Sequence, residues 1–531
     1  MAATSFKIPQ FENTGVDVIP AIASNTRSTF RTNKTKNVQW RLTQLRKLYW
    51  AVEDYRAQML AALKKDLNKA EFESTLTEVD WVKNDCMFMI QHLETFVKDE
   101  KLKAPTVPAH FSLMKFRVRK EPLGAALIIG PYNYPVQLTL SPLVGAIAAG
   151  CTAVVKPSEL TPACAMVLRD LIQKRLDPNA YAVVNGGIPE VQALLNEKWD
   201  KIFFTGSSQV GTIIAKKAAE TLTPVTLELG GRNPAFITKS ANLKVAAKRL
   251  LWGKTLNAGQ VCLSQNYVLI DKDLVPQFIE HLKEAYKESF PNGAKASPDF
   301  ARIVNTRHFH RLKKMLDETK GKIVMGGELD ESELFIEPTA VLINSTDDSM
   351  MTEESFGPIF SIYPVHSLDQ ALNIANSVHR TPLALYSFGN KKENDRVLNE
   401  MTSGGATLND SYFHGSVNAV PFGGVGDSGM GVAHGKYAFD TFSHARTIAD
   451  TPNWADGLLK ARYMPYDFKN LRVMKMMAPK PNFDRNGKVV RGLGYWLGLI
   501  LGLGAKGAKG ALFRWLLVVA GSYMYQQRQR S

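Results

Sequence analysis

Five consecutive apolar residues, Ala125-Ala126-Leu127-Ile128-Ile129, set the strongest constraint on the fold. A strand with one face in water alternates polar and apolar side chains, whereas one that is apolar throughout is covered on both faces, as in a parallel sheet flanked by helices. The surrounding sequence repeats that demand. FRVRKEPLGAALIIGP (116–131) reads as two strands about a Pro-Gly turn, followed by a small-residue helix (138–149), a strand (151–157), a helix (161–176) and a strand (180–187). KIFFTG (201–206), GTIIAKKAAE (211–220) and PVTLELGG (224–231) continue as strand, helix and strand. Strands alternating with helices of about 10–15 residues predict a doubly wound α/β domain. The alternation restarts after residue 240 and runs to about 430, which predicts a second α/β domain. Helical spacing of Leu42, Leu45, Leu48, Tyr49 and Val52 predicts helices over 36–67 and 71–101.

With 45% hydrophobic and 22% charged residues in 531, the chain has ample material for folded cores. Its four cysteines (Cys86, Cys151, Cys164, Cys262) are too few for a disulfide scaffold, and neither CxxC nor HExxH occurs, so no metal centre is expected. The formal charge is +15, but residues 451–531 hold 14 Lys plus Arg against 3 Asp plus Glu, which is eleven of those fifteen charges. A nearly neutral body argues against a polyanion groove, so no nucleic acid is expected as a partner. The N-terminus lacks the apolar stretch of a secretory signal. The basic tail carries two apolar stretches, LGYWLGLILGLGA (493–505) and ALFRWLLVVAGSYMY (511–525), separated by Lys506 and Lys509. Each falls short of the ~20 residues that span a bilayer, so the tail reads as an interfacial or hairpin-like membrane anchor whose basic residues meet anionic headgroups. The bland alternative is a pair of helices packed on the protein's own surface.

Several short segments could carry chemistry. Cys262, in NAGQVCLSQ, lies just past a helical segment (244–256) among small and polar neighbours, where amide N–H groups can stabilise a thiolate. The other three cysteines fall inside a strand or helices and read as core. Glu228, in TLELGGRNP, is a carboxylate at a strand end before two glycines. FFTGSSQVG (203–211) joins a strand to a helix start that could receive a phosphate, without GxGxxG spacing. Asn133, in GPYNYP, could donate to an oxyanion, and KPSE (156–159) sets a Lys and a Glu where they could grip a ribose. Each of these, alone, reads more readily as an ordinary turn, cap, core or surface residue.

Together, the ordered set GPYNYP, KPSE, FTGSSQVG, LELGGRNP, NAGQVC, EESFGPI and PFGGVGDSGMG closely resembles the aldehyde dehydrogenase superfamily over roughly 50–450. NAGQVC and the block at 409–446 resemble the class 3 and fatty aldehyde branch, including fungal-type members that oxidise apocarotenoid aldehydes. The resemblance implies the aldehyde dehydrogenase fold: a Rossmann-like NAD-binding domain (1–103 and 123–230), a catalytic domain (231–430), a bridging element (104–122 and 431–450) that pairs subunits into a homodimer, and the tail (451–531). It implies Cys262 as nucleophile, Asn133 with the Cys262 N–H as oxyanion hole, and Glu228 as general base. Lys156 and Glu159 would bind the adenosine ribose, Gly206, Ser207 and Gly211 the pyrophosphate, and Glu354 and Phe356 the nicotinamide side. Phe422 would wall the site, and Tyr412 and Phe413, beside His414, either line the substrate entrance or pack. Tyr132 replaces a commoner Trp and Arg232 a commoner Lys, the latter expected to matter little. Glu159 favours NAD over NADP, although class 3 members can use NADP. The expected reaction is oxidation of a long-chain apolar aldehyde, fatty or apocarotenoid, at a membrane facing the cytosol (endoplasmic reticulum, mitochondrial outer membrane or lipid droplet). Rival expectations are an aromatic or short soluble substrate, with a tail that only localises the enzyme, and a non-catalytic membrane scaffold.

Overall fold

The structure, a computed structural model, describes residues 8–102, 107, 109–469, 471, 475, 481–502 and 508–530. The chain forms two units, one of residues 1–100 and 118–447 and one of 101–117 and 448–531.

The first unit holds two large sheets. One has six strands in the order Gly429–Met430, Val225–Leu229, Lys201–Gly206, Ala125–Ile129, Thr152–Lys156 and Tyr181–Val183, all parallel except the first. The other has seven, in the order Lys322–Met325, Thr339–Leu342, Ile359–Val365, Gln265–Asp271, Asn233–Ile237, Ala384–Phe388 and Gly405–Leu408, again parallel but for the first. The apolar run Ala125–Ile129 is buried at all five positions, as a strand with helices on both faces requires. Two α/β sheets are present as the alternation predicts, but the second begins with Asn233–Ile237, before residue 240, and Gly429–Met430 returns to the first. The helices Gln137–Ala149, Pro162–Arg175, Ser208–Ala219 and Leu243–Thr255 fall within a few residues of expectation.

Two differences have physical causes. The segment predicted as one helix over 36–67 is broken at Tyr55 into Val38–Asp54 and Arg56–Leu67. The segment over 71–101 contains a wide turn at Thr75–Val79 before the helix Asp80–Phe96. Such turns expose backbone and re-aim side chains. Here the wide turn holds Glu78 in the interior, where its Oε2 accepts from the N–H groups of Val136 (3.0 Å) and Gln137 (2.9 Å) and its Oε1 from Lys69 Nζ (2.8 Å).

The second unit contains the turn of helix Asn453–Arg462 and the helices Leu493–Leu501 and Ala508–Arg530. The last runs for 23 residues, well past the apolar stretch at 511–525, because the polar residues that follow are compatible with helix. Trp496, Leu497, Ile500, Leu512, Phe513, Leu516, Leu517 and Val519 are exposed. Among the described residues, no helix is long and apolar enough to cross a membrane. Residues 503–507, with Lys506 of the predicted charge break, lie outside the described residues.

Candidate active site

Cys262 stands in the loop between the helix Leu243–Thr255 and the strand Gln265–Asp271. The chain reaches it through Asn257, Ala258 and Gly259, at φ of 47, 50 and 70°. Left-handed backbone at non-glycine residues costs of order 1–3 kcal/mol and persists only where surroundings over-determine it. Here they do. The Asn257 amide donates to the carbonyls of Asn133 (2.8 Å) and Gln260 (3.3 Å). The Gln260 amide donates to the carbonyls of Asn257 (3.1 Å) and Arg302 (2.9 Å) and accepts from the Val304 N–H (3.0 Å). A Cβ on Gly259 would fall 2.2 Å from the Gly357 carbonyl oxygen, so only glycine allows this approach. Beyond the cysteine, the Asn233 amide donates to the carbonyls of Cys262 (2.7 Å) and Ser264 (3.0 Å), and its oxygen accepts from the Ala384 N–H (2.9 Å). The Tyr386 hydroxyl donates to the Leu263 carbonyl (2.5 Å).

This frame leaves Cys262 partly accessible, whereas Cys86, Cys151 and Cys164 are buried. Burial pushes the Cys262 thiol up to about 12, with the Glu354 and Glu228 carboxylates adding to the rise. The N–H groups of Cys262 and Leu263 face the sulfur and oppose it. Asn133, buried at the same loop, donates one amide N–H to the Gln260 carbonyl (3.0 Å); an amide nitrogen carries two.

Glu228 is buried on the strand Val225–Leu229, and neither carboxylate oxygen has a protein hydrogen-bond partner. Burial raises its pKa well above the ordinary carboxylate range. Glu354 lies against the glycines that follow Glu228: a Cβ on Gly230 would fall 2.1 Å from its carboxylate, and the Gly231 N–H donates to it. Burial raises Glu354 to about 7. Lys254, wholly buried, donates to the Gln265 carbonyl (2.9 Å) and Ser355 Oγ (3.0 Å), and burial lowers it to about 7. The structure thus gathers Cys262, Glu228, Glu354 and Asn133 into one site.

The residues expected at a dinucleotide are placed at strand and helix ends. Lys156 closes the strand Thr152–Lys156, buried, its Nζ 2.5 Å from Glu159 Oε2. Gly206 closes the strand Lys201–Gly206, and Ser207 caps the helix Ser208–Ala219 by accepting from the Val210 N–H (3.4 Å). Gly211 lets that helix approach the sheet, since a Cβ there would lie 2.7 Å from Leu229 Cδ2. A cavity of about 720 Å³ opens along the helix, lined by residues including Ser208, Thr212, Leu229, Arg232 and His379. None of Lys156, Glu159, Gly206, Ser207 or Gly211 is among the residues that line it.

Phe356, at φ 46°, meets the ring of Tyr132 edge-on at 5.8 Å. Phe422 stacks on His434 at 4.9 Å and lines a small cavity with Glu228. Tyr412 is buried and donates to the Gly253 carbonyl (2.6 Å), which is the packing alternative, and His414 pairs with Thr407 Oγ1 (2.7 Å). Phe413 is exposed and stacks on the exposed Trp252 at 6.2 Å. Arg232 does more than expected: its guanidinium donates to the carbonyls of Met351 (2.8 Å), Thr352 (3.4 Å) and Val378, fixing the segment that leads to Glu354. Sequence reasoning passed over Asn233, Lys254, Asn257 and Gln260. Asn257 and Gln260 sit inside the quoted NAGQVC, where two side-chain amides so near a cysteine were the available signal.

A family model for the aldehyde dehydrogenase family matches residues 2–448. The chain is 66% identical over 535 residues to the beta-apo-4'-carotenal oxygenase of Neurospora crassa, covering 100% of both chains. It is 43% identical over 445 residues to aldehyde dehydrogenase family 3 member A2 of Mus musculus, covering 83% of this chain and 90% of that one. The structure described as the substrate-bound state of Staphylococcus aureus AldH is similar with a TM-score of 0.82 and 38% identity, covering 86% of this chain and 99% of that one.

Proposed function

The chain belongs to the aldehyde dehydrogenase family and oxidises aldehydes, and from that premise we propose that it converts a long, apolar aldehyde of the apocarotenal or fatty type to its acid with NAD, at a membrane surface. The observation that carries the chemistry is the thiol of Cys262, a residue of intermediate exposure where the other described cysteines are buried, facing its own N–H and that of Leu263 and set close to Glu354 and Glu228. The thiolate attacks the carbonyl carbon, and the new oxyanion accepts from the Cys262 N–H and the second N–H of Asn133. A bound nicotinamide dinucleotide supplies the hydride acceptor that takes this carbon to the thioester level. Glu228 then removes a proton from water as its oxygen bonds to the acyl carbon; the C–S bond breaks, and acid and thiolate separate.

Lys156, Glu159, Gly206, Ser207 and Gly211 hold the adenosine and pyrophosphate end, and Glu354 and Phe356 the other. The carboxylate of Glu159 beside Lys156 repels a 2′-phosphate, which supports NAD over NADP. The substrate class rests on the full-length similarity to a protein named for an apocarotenal and on the exposed apolar side chains of the basic tail. A chain held at a lipid surface meets aldehydes that partition there at about 0.8 kcal/mol per CH₂. The expected assembly is a homodimer through 104–122 and 431–450.

The test compares NADH formation from an apocarotenal, hexadecanal, benzaldehyde and acetaldehyde in lipid vesicles, with Cys262→Ala as control. A tenfold or greater advantage in kcat/KM for an apolar long aldehyde supports the reading. A benzaldehyde or acetaldehyde preference keeps the chemistry and removes the substrate class.

A further inference from the structure

Lys69 is charged and yet has no accessible surface. It follows the helix Arg56–Leu67, and the proposed mechanism leaves it without a task. An ammonium group carries three donors. That of Lys69 donates to Glu78 Oε1 (2.8 Å), lies 3.7 Å from the centroid of the Tyr134 ring, and has Glu73 Oε1 at ion-pair distance, 3.8 Å away. A cation over an aromatic face is attracted to it, and more strongly where water is excluded.

Both carboxylates pass the contact on. Glu78, on the wide turn Thr75–Val79, is as completely buried as Lys69. Its Oε2 accepts from the N–H groups of Val136 and Gln137, at the start of the helix Gln137–Ala149, where the helix dipole favours a negative charge. The carboxylate of Glu73 faces the N–H of Asn257. The side chain of Asn257 in turn donates to the Asn133 carbonyl (2.8 Å). All of these routes from one ammonium end on one short segment. Asn133 is held by its carbonyl, Tyr134 by its ring, and Val136 and Gln137 by their N–H groups.

Enclosing an ion pair contributes little net stability, because desolvation offsets the attraction. What fixed charges supply here is direction. A donor to an oxyanion works only when it is aimed to within a fraction of an ångström, and a misplacement of about 1 Å costs about 10²-fold in rate. We propose that Lys69 is a positioning residue for catalysis: through Glu78, Tyr134 and Glu73 it holds the Asn133 amide in the direction from which it donates to the oxyanion. This rests on Asn133 being part of the oxyanion hole, as in the proposed function. Lys69 acts through Asn133 and makes no bond to the reacting atoms.

The test is single-turnover NADH formation by full-length enzyme with saturating NAD and the fastest of the four aldehydes named above. It compares wild type, Lys69→Met, Asn133→Ala and the double variant, with NAD affinity read by fluorescence quenching. Lys69→Met is expected to be at least fivefold slower, with NAD affinity within twofold of wild type. Asn133→Ala is also slowed at least fivefold, and adding Lys69→Met to it costs less than a further twofold, because the group being positioned is already gone. A residue that only supports the fold would multiply its loss onto that of Asn133→Ala. A smaller loss in Lys69→Met, a parallel loss of NAD affinity, or a further loss of twofold or more in the double variant overturns the positioning role. Asn133→Ala separates the premise: a loss below fivefold there removes Asn133 from the oxyanion hole, whereas a slowed Asn133→Ala beside a normal Lys69→Met removes only the positioning. If Lys69→Met does not fold, Glu73, whose side chain is 11% exposed, carries the test. Glu73→Ala slows the single turnover at least threefold, and Glu73→Gln, which keeps an acceptor for the Asn257 N–H, returns it to within twofold of wild type. A smaller loss in Glu73→Ala, or no recovery in Glu73→Gln, overturns the proposal.

Discussion

The two units of this chain depart from ordinary folding in opposite directions. In the first, polar and ionisable side chains are buried: Asn133, Glu228, Asn233, Lys254, Asn257 and Gln260 all lie in the interior. In the tail, large apolar side chains are exposed, from Trp496 to Tyr525. Buried polar groups and clustered exposed apolar ones are the two informative exceptions to the burial rule. The first exception keeps the strained loop that carries Cys262 in place. The second gives no stability in water and makes sense at an apolar surface. The proposed chemistry and the proposed membrane contact thus rest on separate stretches, and each can be removed to see whether the other survives.

The largest effect is expected from Cys262→Ala, which loses at least about 10³-fold in kcat/KM while leaving binding of NAD in place. NAD binding is read by fluorescence quenching, and equal activity of the variant and wild type would break the comparison outright. Asn133→Ala follows, with kcat lowered about 10²-fold as one oxyanion donor is lost. Asn257→Ala leaves the Asn133 carbonyl without its buried donor and costs about 1–3 kcal/mol of stability, seen as a lower Tm, together with slower acylation.

A smaller effect is expected in the pH dependence of thiol alkylation. Burial first, then the Glu354 and Glu228 charges, hold the Cys262 thiol high. Glu354→Gln removes a negative charge that disfavours the thiolate, so the alkylation profile moves to lower pH, by about 0.5–1 unit. A shift to higher pH would contradict the arrangement. The smallest effect on catalysis belongs to deletion of 451–531. Turnover of benzaldehyde stays within twofold of the full-length chain, while flotation with anionic vesicles is lost. A collapse of turnover would show that the tail serves the catalytic unit's folding.

Legibility in the sequence followed the same division. The α/β alternation was readable because the parallel strands of the two sheets are local patterns, and Ala125–Ile129 announced its two-sided burial by itself. The strand Gly429–Met430 was not readable, since two residues carry no periodicity and it exists only by pairing with Val225–Leu229. Cys262 and Glu228 stood out through their glycine-rich or small neighbours. Lys254 did not, because a charged residue on a helix looks solvated until a partner far along the chain encloses it, here Ser355. Arg232 was underread for the same reason, as its carbonyl partners lie about 120 and 146 residues away.

The most direct test of the central claim is mass spectrometry of Glu228→Gln after incubation with NAD and an apocarotenal, followed by proteolysis. The account predicts that slowed hydrolysis leaves the acyl group on the peptide containing Cys262, and on no peptide containing Cys86, Cys151 or Cys164. An acyl group on another residue, or turnover without any adduct at Cys262, would contradict it.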